Sequence, residues 1–504
     1  MSREHLDVLI IGAGLSGVGA AVHLSTKCPG KSFALLEMRG AMGGTWDLFR
    51  YPGIRSDSDM YTLGYAFKPW SNPDAIAEGG DILSYIQETA REYRIEEKIR
   101  YHHEVLGLSW SSADARWEVR VKRRDTGETF TLRSQYVICA AGYYDYEKGH
   151  TPEFEGREDF GGTLVHPQHW PEDLDYAGKR VVVIGSGATA VTLVPALAEK
   201  AEHVVMLQRS PTYMVSVPKK GALLNRLRRV LPEKTVYSIA RVGRVLMGMG
   251  FYEFTQRFPD RARRFIQGQV EEALEGSVDM AHFTPRYDPW DERLCAVPDG
   301  DMFEVLREGR ASVVTDHIER FTEKGVLLKS GRELEADIVV TATGLRVQVL
   351  GGAELEVDGE PVNLAEKLYY KGAMLEDVPN LAMVFGYTNS SWTLKADLIL
   401  DFFCRVIQQA DARGAAICTP RNTQGVGDGG PFLNLSSGYI QRAIHTLPRQ
   451  GDRSPWRLYQ NYLMDILLMK LRRVDDGALV FTRPSARPRR ANEAATAARP
   501  AVAG

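Results

Sequence analysis

Short apolar runs separated by glycine-rich turns set the pattern at the start of the chain. Residues 8–11 are apolar without interruption, and the segment Gly12-Ala13-Gly14-Leu15-Ser16-Gly17 follows them. Small and apolar residues then continue to Leu24. This order is typical of a buried parallel strand, a tight turn and a helix. Residues 33–37 predict the next strand, which completes a strand–turn–helix–strand unit.

The same order of elements returns in the middle of the chain. Residues 180–184 predict a strand, the segment Gly185-Ser186-Gly187-Ala188-Thr189-Ala190 predicts a turn, and residues 204–207 predict a second strand. Related segments close the two units, YVICAAG at 136–142 and DIVVTATG at 337–344. We interpret this as an internal duplication. The predicted fold class is α/β, with two Rossmann-like dinucleotide-binding domains.

Basic residues interrupt the second unit between about 216 and 285, on segments with helix-like apolar spacing. We interpret this stretch as a helical insertion, with a membrane-surface helix as the alternative. The tail is rich in Arg, Pro and Ala and is predicted to be disordered. The predicted organisation is a first dinucleotide domain (1–145 and 346–482), a second one (146–215 and 286–345), the insertion (216–285) and the tail (483–504).

Composition excludes several classes of protein. The 504 residues include 62 Lys and Arg against 65 Asp and Glu, and a formal charge of −3 does not favour a nucleic-acid partner. The five cysteines are dispersed without a Cys-x-x-Cys pair, which favours reduced thiols in a cytoplasmic protein. We expect neither a signal peptide nor a transmembrane segment, because the first strand begins at Asp7 and apolar runs are short.

The first turn has the spacing of a dinucleotide site. Gly12 permits the turn, Gly14 lets a pyrophosphate approach the backbone, and Gly17 lets the helix pack on the strand. The N-terminus of the helix offers free N–H groups to the phosphates. Glu37 follows the second strand, where a carboxylate can accept hydrogen bonds from ribose hydroxyls. Because this site lies near the start of the chain, we assign FAD to it.

The second turn differs in two positions. Its third glycine is replaced by Ala190, which the pattern tolerates. Gln208 and Arg209 stand where the first unit has Glu37. A carboxylate would repel a 2′-phosphate, whereas an arginine binds one through charge-assisted hydrogen bonds. The second site is therefore predicted to bind NADPH, although Arg209 as a solvated surface charge is the alternative.

Two further segments carry a family resemblance. The linker from Phe160 to Pro171 reads Phe-x-Gly-x3-His-x3-Trp-Pro, and residues 43–57 read Gly-Gly-x-Trp-x4-Tyr-Pro-Gly-x3-Asp. Both resemble the fingerprints of type I Baeyer–Villiger monooxygenases. The resemblance implies that Gly44 and Trp46 border the flavin, that Asp57 lies near the reacting centre and that Arg55 lies close to the nicotinamide cofactor.

An arginine is expected at the reacting centre of such an enzyme. Insertion of oxygen beside a carbonyl passes through negative charge on oxygen, and a guanidinium stabilises that charge without losing its proton. The resemblance implies Arg293 for this role, oriented by Asp57, although a surface salt bridge with Asp291 or Glu292 is the alternative. The family has lysine where this chain has Glu292, so the hold on the 2′-phosphate is expected either to be weaker or to rely on Arg209 with Lys219 or Lys220.

The linker histidine and a later loop complete the resemblance. His166 and Trp170 are interpreted as residues of the joint between domains, not as a general base and its neighbour. Residues 385–392 (FGYTNSSW) are expected to form a loop over the flavin. Together with YDPWDERLC at 287–295, this loop resembles the ethionamide-activating subgroup, whose members oxidise ketones and also sulfur.

The sequence therefore predicts an FAD- and NADPH-dependent monooxygenase that forms an ester or lactone from a small apolar ketone and O2, and that also oxidises thioethers. The alternatives are a flavin monooxygenase acting on nitrogen or sulfur through an electrophilic oxygen, a disulfide reductase, which needs a cysteine pair, and a nucleotide sensor. A peripheral membrane contact and the oligomeric state stay open. The predicted catalytic residues are Arg293 and Asp57, without a metal. The predicted cofactor-binding residues are Gly12, Gly14, Ser16, Gly17, Glu37, Gly44, Thr45, Trp46, Arg55, Asp57, Val105, Gly142, Gly185, Ser186, Gly187, Ala188, Thr189, Ala190, Gln208, Arg209 and Gly344.

Overall fold

The computed structural model describes residues 5–292, 294–433 and 437–483. Arg293 and most of the predicted tail therefore lie outside the described residues. The helices span Leu15–Lys27, Thr45–Leu48, Met60–Leu63, Gly79–Glu92, Ala188–Leu197, Ala222–Leu227, Glu233–Arg257, Pro259–Leu274, Asp301–Arg307, Trp392–Arg413, Gly438–Ala443 and Tyr462–Asp465, and a π-helical stretch covers Ile466–Leu471.

The first sheet is built on the first predicted strand. His5–Ile11 pairs in parallel with Phe33–Leu36 on one side and with Thr129–Cys139 on the other. Its apolar side chains are buried on both faces, as expected of a strand covered by helices. Antiparallel strands extend the sheet beyond Thr129–Cys139. The remaining strands of this sheet are Ile99–Arg100, His103–Ser111, Arg116–Arg123, Glu354–Val357, Glu360–Pro361, Tyr369–Tyr370, Met374–Leu375 and Leu381–Met383.

The second sheet repeats the parallel arrangement. Its five strands lie in the spatial order Ala311–Thr315, His203–Gln208, Arg180–Ile184, Ile338–Thr341 and Thr163–Val165, all parallel. The predicted α/β class with two Rossmann-like units is thus confirmed. Smaller sheets are formed by Met214–Val217 with Cys295–Pro298, by Ile318–Thr322, Gly325–Leu328 and Glu333–Glu335, by Tyr144–Gly149 with Leu345–Val347, by Ile417–Pro420 with Leu479–Thr482, and by Asp428–Pro431 with Arg449–Gly451.

The chain returns to the first sheet after completing the second. Leu381–Met383 pairs in parallel with Thr129–Cys139, with Ala382 opposite Ile138. The long helix Trp392–Arg413 then packs on Leu15–Lys27 and ends at Gly414, whose positive φ of 58° suits a glycine C-cap. The domain boundaries drawn from the sequence stay a prediction, since pairing alone does not define them.

Helices occupy the stretch interpreted as an insertion, and the longest of them packs on the first unit. The Tyr237 hydroxyl donates to the Tyr65 carbonyl at 3.0 Å. The buried Arg241 guanidinium donates to the Gly64 carbonyl at 2.8 Å and lies 3.4 Å from the Asp397 carboxylate. A buried arginine is stable only when such partners satisfy it. Arg241 therefore fixes Glu233–Arg257 against the first unit.

Candidate functional site

The first glycine turn is tight where the sequence predicted it. Gly12 has φ +95°, and a Cβ there would lie 2.8 Å from the Ala140 carbonyl oxygen. A Cβ at Gly17 would overlap the carbonyl oxygen of Gly12. Gly14 is the N-cap of Leu15–Lys27, so the first N–H groups of that helix open toward the turn. These close approaches require glycine and leave room for a phosphate.

A narrow groove runs from this turn toward the end of the second strand. It is bordered by Gly12, Gly14, Glu37, Gly44 and Val105. The Glu37 carboxylate is buried and accepts from the backbone N–H groups of Ala13 and Arg39, both at 2.9 Å. Burial raises the pKa of Glu37 above its ordinary value. A groove with a phosphate-sized turn and a carboxylate near one end fits an adenine dinucleotide.

The second glycine turn has the same geometry. Gly185 has φ +137°, and a Cβ there would clash with the Ala342 carbonyl oxygen. Gly187 is the N-cap of Ala188–Leu197, and Ala190 is completely buried in that helix. The Ser186 hydroxyl donates to the Ser210 carbonyl at 3.1 Å, which links the turn to the end of the neighbouring strand.

The two residues predicted to recognise a 2′-phosphate have different environments. Gln208 is buried, and its amide nitrogen donates to the His282 carbonyl at 2.7 Å and to the Thr315 hydroxyl at 2.8 Å. Arg209 is exposed. Burial raises the pKa of Glu292, while the positive charge of Arg209 opposes that rise, so the two side chains interact. Arg209 is thus an exposed cation at the end of this strand, with Glu292 as a nearby opposite charge.

One large cavity of about 790 Å³ lies between the two glycine turns. Gly14 and Thr45 border it from the first unit, and Ala188 and Thr189 border it from the second. Two further segments close it, residues 244–251 of the inserted helix and residues 387–392. A ligand in this cavity can therefore contact both nucleotide sites at once.

The loop at 43–57 connects the two turns. Tyr51 is buried and hydrogen-bonds with Thr189 of the second unit, and burial raises its pKa to about 12. Arg55 lines the cavity and forms an ion pair with Asp301. Asp57 also lines the cavity, and its carboxylate accepts from the Ser58 hydroxyl at 3.4 Å. The loop thus carries both a cation and an anion into the space between the units.

The segment that ends in Trp392 covers the first turn. The Trp392 indole N–H donates to the Ser16 hydroxyl at 2.8 Å, and its ring stacks on Tyr143 with centroids 5.2 Å apart. The Tyr387 hydroxyl donates to the Asp465 carboxylate at 2.6 Å. Aromatic rings at one end of a dinucleotide groove suit a flat heterocycle, because such rings stack on aromatic ligands.

His166 lies at the joint and not in the cavity. Its Nδ1 accepts from the Gln168 backbone N–H at 3.2 Å, so the neutral ring donates from Nε2 to the Gly344 carbonyl at 3.3 Å. Burial lowers the pKa of His166 below its ordinary value. These contacts hold the linker to the closing segment of the second unit and agree with the interpretation of His166 as a joint residue.

Comparison with known proteins decides the family. The family described as pyridine nucleotide-disulphide oxidoreductase matches residues 9–245. The FAD-containing monooxygenase EthA of Mycobacterium tuberculosis (strain ATCC 25618 / H37Rv) is 50% identical over 482 residues, 95% of this chain and 98% of that protein. The chain belongs to the family of FAD-containing monooxygenases. The predicted flavin monooxygenase is thereby confirmed.

Solved structures share the fold of this monooxygenase. An oxidized steroid monooxygenase bound to NADP matches with a TM-score of 0.75 at 22% identity, covering 95% of this chain and 100% of that one. An ε-caprolactone-bound cyclohexanone monooxygenase matches with a TM-score of 0.73 at 22% identity and the same coverage. At such identities the match concerns the fold.

The structure brings together about half of the residues predicted for the site of this monooxygenase. Those that line the large cavity are Gly14, Ser16, Gly44, Thr45, Trp46, Arg55, Asp57, Gly142, Ala188 and Thr189. Those that line the narrow groove, besides Gly14 and Gly44, are Gly12, Glu37 and Val105. The predicted residues that line neither the cavity nor the groove are Gly17, Gly185, Ser186, Gly187, Ala190, Gln208, Arg209 and Gly344. Arg293 lies outside the described residues, so its role stays a prediction.

Several cavity residues of the monooxygenase were missed by sequence reasoning. Arg244, Met247 and Phe251 project from the inserted helix, and Trp290 and Asn389 come from loops. The first three have the i, i+3, i+7 spacing of one helix face, which was available as a signal. The spacing could not indicate that this face lines the cavity, because that placement joins distant parts of the chain.

The remaining expectations concern absences. Within the described ranges, no helix is long and apolar enough to cross a membrane. Across the same residues, no cluster of His, Cys, Asp and Glu could hold a metal ion. All five cysteines are buried. Cys28 and Cys139 were too far apart in sequence to suggest a redox pair, and neither lines the large cavity of the monooxygenase.

Proposed function

We propose that this protein is an FAD- and NADPH-dependent Baeyer–Villiger monooxygenase. It inserts one atom of O2 beside the carbonyl of an apolar ketone to give an ester or lactone, and it also oxidises thioethers to sulfoxides. One observation carries the proposal: a single cavity of about 790 Å³ is bordered by both glycine turns and by the loop with the Baeyer–Villiger fingerprint. That arrangement lets a nicotinamide, a flavin and a ketone share one space.

The first turn, Glu37 and Val105 would hold FAD along the narrow groove, and Trp46 and Trp392 would offer aromatic surfaces to its ring. The second turn and Arg209 would hold NADPH. When bound, the two cofactors supply the electrons that reduce dioxygen. The protein contributes positioning and exclusion of water, and the aromatic lining favours an apolar substrate.

Arg293 and Asp57 are the residues that we assign to charge stabilisation. Negative charge develops on oxygen when a carbonyl is attacked, and a fixed guanidinium lowers the energy of that charge most strongly where water is excluded. Asp57 lies in the cavity, and Arg55 is already engaged by Asp301. A cation other than Arg55 is therefore needed, and the resemblance gives that role to Arg293.

Product analysis tests the proposal directly. The purified yellow protein is incubated with NADPH, 18O2 and a panel of ketones, thioethers and amines, and products are identified by mass spectrometry. Esters carrying a single labelled atom are expected from ketones. Oxidation of amines without ester formation would instead favour the nitrogen-oxidising alternative.

A matched pair of variants tests the assigned arginine. Arg293→Ala should retain FAD and reduce flavin with NADPH, yet lose ester formation by about a hundredfold or more, the size expected for removal of one charge-stabilising group. Arg286→Ala removes a neighbouring exposed arginine and should change ester formation little. Equal ester yields from both variants would remove Arg293 from its role.

We also propose a cytoplasmic location. The dispersed spacing of the five cysteines, without a Cys-x-x-Cys pair, supports it, because oxidising compartments favour disulfides. Fractionation of cells with an antibody to the protein checks it, and recovery from a secreted or periplasmic fraction would contradict it.

A further inference from the structure

The middle of the longest inserted helix has its charges on the inward side. Between residues 235 and 252 of Glu233–Arg257 the charged residues are Arg241 and Arg244. Arg241 is buried and donates to the Tyr61 carbonyl at 2.9 Å, and Arg244 lines the large cavity. A surface helix ordinarily turns its charged side chains outward. In this part of the helix the charged side chains face inward instead, so the character of its outer face needs an explanation.

The outer face of that helix is apolar. Ile239, Val242 and Leu246 follow the i, i+3, i+7 spacing of one face, and they are 49%, 60% and 52% exposed. On the opposite face Tyr237 and Arg241 are buried and bond to the first unit. Three large aliphatic side chains thus project directly away from the protein.

A second segment continues this surface. Leu463, Leu467 and Leu471 follow an i, i+4, i+8 spacing and are 50%, 39% and 69% exposed. Tyr462, at the start of that segment, packs against the same cluster as Val245 of the inserted helix. We call the six side chains Ile239, Val242, Leu246, Leu463, Leu467 and Leu471 the outer apolar surface. Among the residues the structure describes, well-exposed large apolar side chains are confined to 230–265 and 463–471. Apolar surface concentrated in this way marks an interaction site.

Positive charge surrounds the outer apolar surface. Apart from the inward Arg241 and Arg244, residues 226–264 contain eight Lys and Arg against three acidic residues, a net charge of +5 in a chain whose formal charge is −3. Lys470, Arg472 and Arg473 are exposed beside Leu471. If the outer apolar surface of a second copy of this chain packed against this one, two positively charged rims would face each other. An anionic partner with an apolar interior fits both features.

We infer that the outer apolar surface binds an anionic lipid bilayer. The six aliphatic side chains enter the boundary between headgroups and acyl chains, and the surrounding Lys and Arg side chains lie at the anionic headgroups. Met247 is 58% exposed next to this surface and also lines the large cavity. The cavity therefore opens beside the membrane. An apolar ketone would then enter the cavity from the bilayer. That step rests on the proposed function, whereas the binding of lipid does not.

Sedimentation with vesicles tests the binding without any turnover. The full-length holoprotein should sediment with phosphatidylcholine vesicles that contain phosphatidylglycerol, and much less with phosphatidylcholine alone. Ile239→Gln/Val242→Gln/Leu246→Gln should weaken binding at least about tenfold. Lys470→Gln/Arg472→Gln/Arg473→Gln should weaken it by a similar factor and reduce its salt dependence. Lys122→Gln/Lys148→Gln/Lys324→Gln removes the same charge at exposed positions elsewhere and should bind like the wild type.

A label shows which surface contacts the lipid. Because the native cysteines are buried, Val242→Cys can be labelled selectively with an environment-sensitive thiol dye. Its emission should shift to the blue on addition of anionic vesicles, while a dye at the exposed position Glu128→Cys should not respond. Failure of the wild type to sediment, or equal sedimentation of wild type and the aliphatic triple variant, would overturn the inference. A shift that appears without vesicles and grows with protein concentration would overturn it in favour of self-association.

Discussion

A buried ion pair behind the cavity supports the loop that covers the first turn. Lys395 Nζ lies 2.8 Å from the Asp465 carboxylate, and the two side chains are only 7% and 5% exposed. The same carboxylate accepts from the Tyr387 hydroxyl at 2.6 Å, and Tyr387 lines the cavity. Removal of the lysine charge should therefore destabilise the protein and the cavity wall together.

The expected cost follows from the burial of both partners. Lys395→Met leaves an ionised Asp465 without its cation, and breaking a buried pair in this way costs about 3–5 kcal/mol. Lys395→Met/Asp465→Asn removes both charges and keeps an acceptor for the Tyr387 hydroxyl. That double variant should recover most of the loss and cost about 1–2 kcal/mol, the size of an imperfectly replaced hydrogen bond.

Denaturant unfolding followed by tryptophan fluorescence and by release of flavin fluorescence measures both effects. The single variant should unfold at much lower denaturant and release FAD earlier, whereas the double variant should approach the wild type. Lys367→Met, which removes a partly exposed lysine from its pair with Asp377, is the control and should cost under about 1 kcal/mol. A loss for Lys395→Met no larger than for Lys367→Met, or additive losses in the double variant, would refute the reasoning.

Three further predictions follow from the turns, the second site and the joint. Gly17→Ala should yield protein without bound FAD, measured by the flavin absorbance of the purified protein, because a Cβ there overlaps the Gly12 carbonyl. Glu292→Gln should lower the KM for NADPH several-fold and leave the KM for NADH unchanged, since it removes the acid that interacts with Arg209. The partly buried His166, whose pKa is lowered, stabilises the fold above its ordinary pKa of about 6.5 and loses that contribution as the pH falls, by at most about 1.4 kcal/mol per pH unit. His166→Gln should flatten that dependence.

Controls separate these effects from general damage. Gly30→Ala adds a Cβ where no atom lies within 4 Å and should keep its flavin. Yellow Gly17→Ala protein would contradict the account of the first turn. Equal changes in the KM for NADPH and NADH would mean that Glu292 does not act on the 2′-phosphate. Identical stability profiles of wild type and His166→Gln between pH 5 and pH 7 would mean that the ring does not titrate as described.

Local sequence determined the two nucleotide-binding units. A continuous apolar strand, a turn that tolerates only glycine at Gly12 and Gly17, and a helix beginning within the turn are all set by neighbours along the chain. The sequence also indicated Glu37 by its position after a strand and Gly185 by its position in the second turn. The loop at 43–57 was found from its resemblance, and it does line the cavity.

Tertiary structure alone decided what surrounds those units. Gln208, which stays a predicted cofactor residue, donates to the His282 carbonyl and the Thr315 hydroxyl, because packing decides which way a side chain at a strand end faces. Arg244 and Phe251 reach the cavity only because Arg241 anchors their helix to the first unit, through contacts with residues more than 150 positions away. Such contacts depend on how distant segments pack, and no local pattern of residues encodes that packing.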